Sequence, residues 1–129
     1  MNMILKPVGS VRSPLKDRKQ APKQGSEGAP AADIEMLPEY ADALLGLQAG
    51  AQLVLLTWLD RSDRTALQVH PRGDETRARR GVFATRSPDR PNPVGLHEVR
   101  LVSIHGLRLR VEPLEALDGT PVIDIKPLI

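Results

Sequence analysis

Prolines and glycines recur at short intervals along the whole chain, and this spacing limits its fold more than any other feature. Twelve prolines and ten glycines are spread through 129 residues instead of collecting in one linker. Proline removes a backbone donor and fixes φ, while glycine raises the entropy lost on ordering. Long helices are therefore disfavoured, and short strands joined by turns are expected. The length fits one domain spanning residues 1–129, with no internal repeat.

Within these limits, periodicity assigns the elements. Leu107, Leu109 and Val111 alternate with Arg108, Arg110 and Glu112, the pattern of a strand with one face in a core and one in water. His105-Gly106 reads as the turn joining it to a strand over Leu96–Ile104. Ala51–Leu59 is almost continuously apolar, which predicts a strand buried on both faces. Shorter strands are expected over Met3–Val8, Val69–Pro71, Gly81–Thr85 and Pro121–Ile125. The exception is Leu37–Leu47, where Pro38 suits a first helical turn and Tyr40, Ala43, Leu44 and Leu47 repeat at helical spacing. A helix of two to three turns, packed through its leucines, is expected there. Lys16–Ala32 is rich in Lys, Gln, Gly, Ser and Pro and reads as a long loop. The fold class that results is mainly β: a six- to seven-stranded antiparallel β-barrel, closed or nearly so, with one short helix.

Composition excludes several functions. Tyr40, Trp58 and Phe83 are the only aromatic residues, so one chain cannot build the multi-base stacking platform of a general single-strand binder. Without cysteine there are no disulfides, thiolate nucleophiles or cysteine metal sites. His70, His97 and His105 lack the spacing of a ligand set, so no metal is expected. No apolar run reaches the length of a membrane span, and Met1–Ser10 lacks a signal-peptide core; a cytoplasmic location is expected.

The net charge of +2 is small but unevenly distributed. Met1–Lys23 holds six basic residues and one acid, whereas Gln24–Gly50 holds five acids and no basic residue. Arg72–Arg90 then holds six arginines against Asp74, Glu75 and Asp89. Such a stretch is either a solvated loop or a track for a polyanion, with Arg72, Arg77, Arg79, Arg80 and Arg90 as the candidate contacts.

Two segments carry chemistry. Gly81–Gly95 reads GVFATRSPDRPNPVG: Pro88, Pro91 and Pro93 stiffen a backbone that presents Arg86 and Arg90 beside Thr85, Ser87 and Asn92. That composition serves either a rigid surface loop or a preorganised site for a small polar anion. Leu117–Pro127 reads LDGTPVIDIKP, a turn at Asp118-Gly119 followed by a strand in which Asp124 needs a cationic partner.

GVFATRSPDRPNPVGL at 81–96 and LDGTPVIDIKP at 117–127, in that order, resemble the signature of the TrmO/YaeB (TsaA-like) family, and VGSVRSPLK at 8–16 resembles its opening strand and loop. The resemblance implies a β-barrel methyltransferase that binds S-adenosylmethionine and works as a homodimer. It implies methylation of the exocyclic nitrogen of threonylcarbamoyl-adenosine at tRNA position 37. The lack of a GxGxxG turn agrees with a cofactor held outside a Rossmann fold. Carried over, cofactor contacts fall on Arg86, on Leu96, on Glu112, Pro113, Leu114 and Glu115, and on Gly25, Ser26 and Glu27. Arg86 suits a carboxylate, and Glu115 suits the donors of adenosine. Asp60 and Arg61 stand where relatives carry a His-Gln pair, which puts them among the cofactor contacts too. The chain ends at Ile129, where some relatives continue into an extension.

Methyl transfer is an in-line displacement that needs positioning and no covalent protein intermediate. The acceptor proton must leave, and Asp118 or Asp60 is the candidate base. Two other readings are open: a regulatory domain that binds the cofactor without transfer, and a methyltransferase acting on a small molecule or another nucleic acid.

Overall fold

The computed structural model describes residues 1–129. Eight strands follow one another in the chain: β1 (Gly9–Arg12), β2 (Ala32–Met36), β3 (Gln52–Trp58), β4 (Gln68–Val69), β5 (Arg80–Gly81), β6 (Val94–His105), β7 (Arg108–Glu112) and β8 (Pro121–Pro127). Six of them close an antiparallel barrel in the order β1-β2-β7-β6-β3-β8, and β8 pairs with β1 to complete the ring.

The alternation read from the sequence is the alternation observed. Leu109 and Val111 of β7 point into the barrel, joined by Ile34 of β2, Leu53 and Leu55 of β3, Val99 and Leu101 of β6 and Val122 of β8. Each such side chain contributes roughly 1.5–3 kcal/mol on leaving water. The outward positions carry charges that meet across strands. Arg12 and Arg108 both bind Glu35 (3.2 and 2.8 Å), Arg110 binds Asp33 (3.1 Å), and Arg100 binds Glu112 (2.7 Å). The acidic tract thus supplies partners for the barrel's arginines, and Arg12, then Arg108, holds the Glu35 carboxyl below its ordinary range.

Several expectations are corrected. The predicted strand over Met3–Val8 is absent: Met3, Ile4 and Leu5 are exposed, and the first strand begins at Gly9. Apolarity alone does not make a strand where no free sheet edge remains to pair with. The loop ends within one residue of the expected place, but no strand is expected after it, and Ala32–Met36 is one, with Ala32, Ile34 and Met36 facing inward. The expected helix at Leu37–Leu47 is a 3-10 helix over Pro38–Leu44, with Leu44 and Leu47 packed on the core and Leu45 exposed. Three shorter 3-10 turns, at Gly25–Glu27, Pro71–Gly73 and Val82–Ala84, lie in the loops. β3 is fully buried on one face only, through Leu53, Leu55 and Thr57. The strands expected over Val69–Pro71 and Gly81–Thr85 shrink to the two-residue β4 and β5, which pair with each other outside the barrel. Proline and the 3-10 turn that starts at Val82 stop both from extending.

Candidate functional site

Two loop systems rise over one side of the barrel, the Ser13–Ala31 connection and the long excursion between β3 and β6. Between them and the barrel lies a cleft of about 550 Å³. Its walls come from Arg18 and Ala21–Gln24 of the first loop, Leu59–Ser62 after β3, the β4–β5 ribbon, Arg86–Asp89, the start of β6 at Gly95–His97, and Glu115–Leu117 with Thr120 before β8.

The Gly81–Gly95 loop is stiff for more reasons than its prolines. Arg90 turns inward and donates to three carbonyls of its own loop, those of Val82, Thr85 and Ser87 (3.0, 3.1 and 2.9 Å). Thr85 Oγ1 donates to the Val82 carbonyl and accepts from the Ser87 N–H, and Ser87 Oγ accepts from the Asp89 N–H. From outside, Arg64 lies 5.1 Å over the Trp58 ring and donates to the Pro91 carbonyl and Asn92 Oδ1. Asp89 takes the Arg18 guanidinium through two bonds of 3.2 Å, which ties the Ser13–Ala31 loop to this one. Arg86, by contrast, makes no hydrogen bond or ion pair within the chain, and it lines the cleft. Its fork is free for a ligand carboxylate or phosphate.

On the cleft floor, His97 Nδ1 meets Glu115 Oε1 at 2.5 Å and His97 Nε2 meets Thr57 Oγ1 at 2.7 Å. A carboxylate only accepts, so Nδ1 carries the proton and Nε2 takes the Thr57 hydroxyl bond. Gly95 makes room for this pair: a Cβ there would collide with Thr57 Oγ1 and lie 2.7 Å from His97 Nε2. The hydroxyl, imidazole and carboxylate are arranged in the order of a nucleophilic triad, but Thr57 is fully buried and does not line the cleft. It braces the histidine and reaches no substrate.

The structure brings together Arg86, Leu96, Asp60, Arg61 and Glu115 on the cleft walls, with Arg72 and Arg79 along its ribbon side. Arg61 is also a bolt, donating to the carbonyls of Lys16 (2.8 Å) and Asp118 (3.3 Å). Gly25 packs beside Glu115, since a Cβ there would lie 2.9 Å from Oε2. Ser26 is exposed and Glu27 is paired with Arg72 at 2.7 Å, neither on the cleft wall. Glu112 and Pro113 face a separate, shallower depression, and Leu114 is a fully buried core residue whose N–H donates to the Pro30 carbonyl. Asp118 lies outside the cleft: the Ser13 N–H (3.0 Å) and then the Lys16 ammonium (3.0 Å) hold its carboxyl below the ordinary range. Arg77 and Arg80 stand off the wall, and Arg90 is consumed by its own loop.

Sequence reasoning missed Ala21–Gln24, Thr57 and the site role of His97. The signal for His97 was its phase, because a histidine takes the inward position between Gly95 and Val99, in step with Leu101.

A family model described as the tRNA-methyltransferase O N-terminal domain matches residues 10–129. The chain belongs to this family. Among curated relatives, a probable S-adenosyl-L-methionine-binding protein of Methanothermobacter thermautotrophicus is 50% identical over 98% of this chain and 90% of its own length. An S-adenosyl-L-methionine-binding protein of Archaeoglobus fulgidus is 46% identical over 96% and 88%. A crystal structure of TrmO from Pseudomonas aeruginosa superposes with a TM-score of 0.80 at 32% identity, covering all of this chain and 57% of that one. The chain therefore spans little more than half the length of that TrmO. The resemblance read from Gly81–Leu96 and Leu117–Pro127 is borne out.

Proposed function

We propose that the chain binds S-adenosylmethionine in the cleft and directs methyl transfer to the exocyclic nitrogen of threonylcarbamoyl-adenosine at position 37 of tRNA. The observation that carries this reading is Arg86, a guanidinium with no partner in the chain, held on a loop that its neighbours make rigid. The site's chemistry suits the cofactor. The cleft volume lies in the range of ligand sites, Leu59, Leu96 and Leu117 give it apolar wall, and Arg86 and Glu115 offer opposite charges for a zwitterion. When bound, the cofactor supplies an electrophilic methyl group. Arg86 orients the amino-acid end, while the Ala21–Gln24 segment and the ribbon exclude water from the other side.

Of the two carboxylates considered for the acceptor proton, Asp60 lines the cleft and Asp118 does not. The proposal therefore keeps Asp60. Arg72, Arg77, Arg79 and Arg80, on and beside the ribbon, are the contacts proposed for tRNA phosphates, with transfer carried out by a cytoplasmic homodimer. The test incubates the protein with labelled S-adenosylmethionine and tRNA with or without the threonylcarbamoyl group. Label on the modified tRNA alone is expected, and label on neither would refute the acceptor.

A second reading, cofactor binding without transfer, is favoured by a separate observation. The curated relatives matched over most of their length are described by cofactor binding alone. The same assay decides it, since binding without label in any tRNA is its outcome.

A further inference from the structure

The cleft is rich in cations: Arg18, Lys23, Arg61, Arg72, Arg79 and Arg86 all line it. Four of these six are engaged within the chain, by Asp89, by the Lys16 and Asp118 carbonyls, by Glu27 and by the Gln68 carbonyl. Of the carboxylates that line the cleft, Asp89 is spent on Arg18 and the Asp63 N–H, while Asp60 and Glu75 are exposed. Glu115 differs from all of them. Its side chain is only 18% exposed, it makes no salt bridge to lysine or arginine, and its orientation is set by a histidine. Thr57 and His97 commit two buried polar groups to aiming one carboxylate, while Oε2 makes no hydrogen bond within the chain. A largely buried carboxylate without a cationic partner is costly, and a ligand that brings a positive charge offsets that cost.

We propose that Glu115 is the counter-charge for a cationic centre of the bound ligand, and that His97, braced by Thr57, is the positioning residue that aims it. The inference rests on the reading of the cleft as an S-adenosylmethionine site. That ligand has two cationic centres, a sulfonium and an ammonium, and Glu115 takes one of them while Arg86 holds the carboxylate. Because a sulfonium loses its charge during transfer, a carboxylate beside it tightens the ground state more than the transition state. Removal of Glu115 from such a place would then raise KM without lowering kcat.

Calorimetry with three probes tests the assignment: S-adenosylmethionine, S-adenosylhomocysteine, which keeps only the ammonium, and 5′-methylthioadenosine, which has neither charge. Glu115→Gln is expected to weaken S-adenosylmethionine at least about tenfold and methylthioadenosine less than about twofold. S-adenosylhomocysteine falling in step assigns the ammonium, and holding its affinity assigns the sulfonium. His97→Leu should reproduce the Glu115→Gln pattern. His97→Asn, whose amide keeps a donor near the place of Nδ1, should restore much of the preference for charge. Methylthioadenosine binding reports that each variant retains its cleft. Equal losses for all three probes, or no loss, in Glu115→Gln overturn the counter-charge. A normal charge preference in His97→Leu overturns the positioning role. Wild type that binds none of the three removes the cofactor reading as well, whereas wild type that binds all three with Glu115→Gln unchanged removes this inference alone.

Discussion

Arg86 and Arg90 stand four residues apart in one loop and are put to opposite uses. Arg90 is satisfied by three carbonyls of its own loop, and Arg86 by nothing in the chain. Arg86→Ala should therefore weaken S-adenosylmethionine by about 1.5–3 kcal/mol in calorimetric titration, the scale of a hydrogen bond to a charged group. Arg86→Lys should recover little, because an ammonium cannot reproduce the two-pronged fork. Asp118 has a stabilising role that pH reveals. Its folded carboxyl is held below the ordinary value of 3.8, first by the Ser13 N–H and then by Lys16. Its contribution is thus present above that value and lost as pH falls through the lower folded one. Asp118→Asn should melt below wild type at neutral pH, and thermal melts at successively lower pH should show the gap closing only below 3.8.

At the scale of the element, the Gly81–Gly95 loop owes its shape to arginine as much as to proline. Arg90→Ala leaves three carbonyls without their shared donor, and amide exchange in Val82–Asp89 should rise well above wild type while the barrel strands keep their protection. Unchanged exchange in that segment would mean the prolines suffice. The same scale explains what the sequence disclosed. β7 was legible because one face meets the core and the other meets water, so charge and apolarity alternate at every step, and β6 was legible from the His105-Gly106 turn that joins it to β7. β2 was hidden because its alternation covers only five residues, opens on a small alanine and follows a proline-rich loop. The false strand at Met3–Val8 was apolar without a partner. Arg86 was visible as an arginine in a proline-stiffened loop, whereas His97 reads as an ordinary buried histidine until Thr57 and Glu115, 40 and 18 residues away, fold against it. Only tertiary structure brings such a set together.

At the scale of the whole molecule, one side of the barrel gathers both the cleft and the ribbon arginines. If tRNA is the acceptor, replacing Arg72, Arg77, Arg79 and Arg80 by glutamine should weaken tRNA at every sequence. It should also flatten the salt dependence by roughly 0.7–0.9 for each phosphate no longer neutralised, and replacing only Arg77 and Arg80, which stand off the cleft wall, should do so with cofactor affinity nearly unchanged. Normal tRNA binding by the quadruple variant at physiological salt would move the acceptor surface elsewhere. The ring itself closes between distant parts of the chain, since β1 pairs Gly9 with Val122 and Ser10 with Pro121. Pairings this far apart in sequence slow folding, because loop entropy is lost before the pairing repays it. During synthesis β1 leaves the ribosome long before Glu115–Leu117 and Thr120, one wall of the cleft, and before β8, its partner in the ring. A nascent chain arrested before β8 would carry every residue of the cleft on a ring still open between β3 and β1, so the capacity to hold a ligand arrives with the strand that closes the barrel.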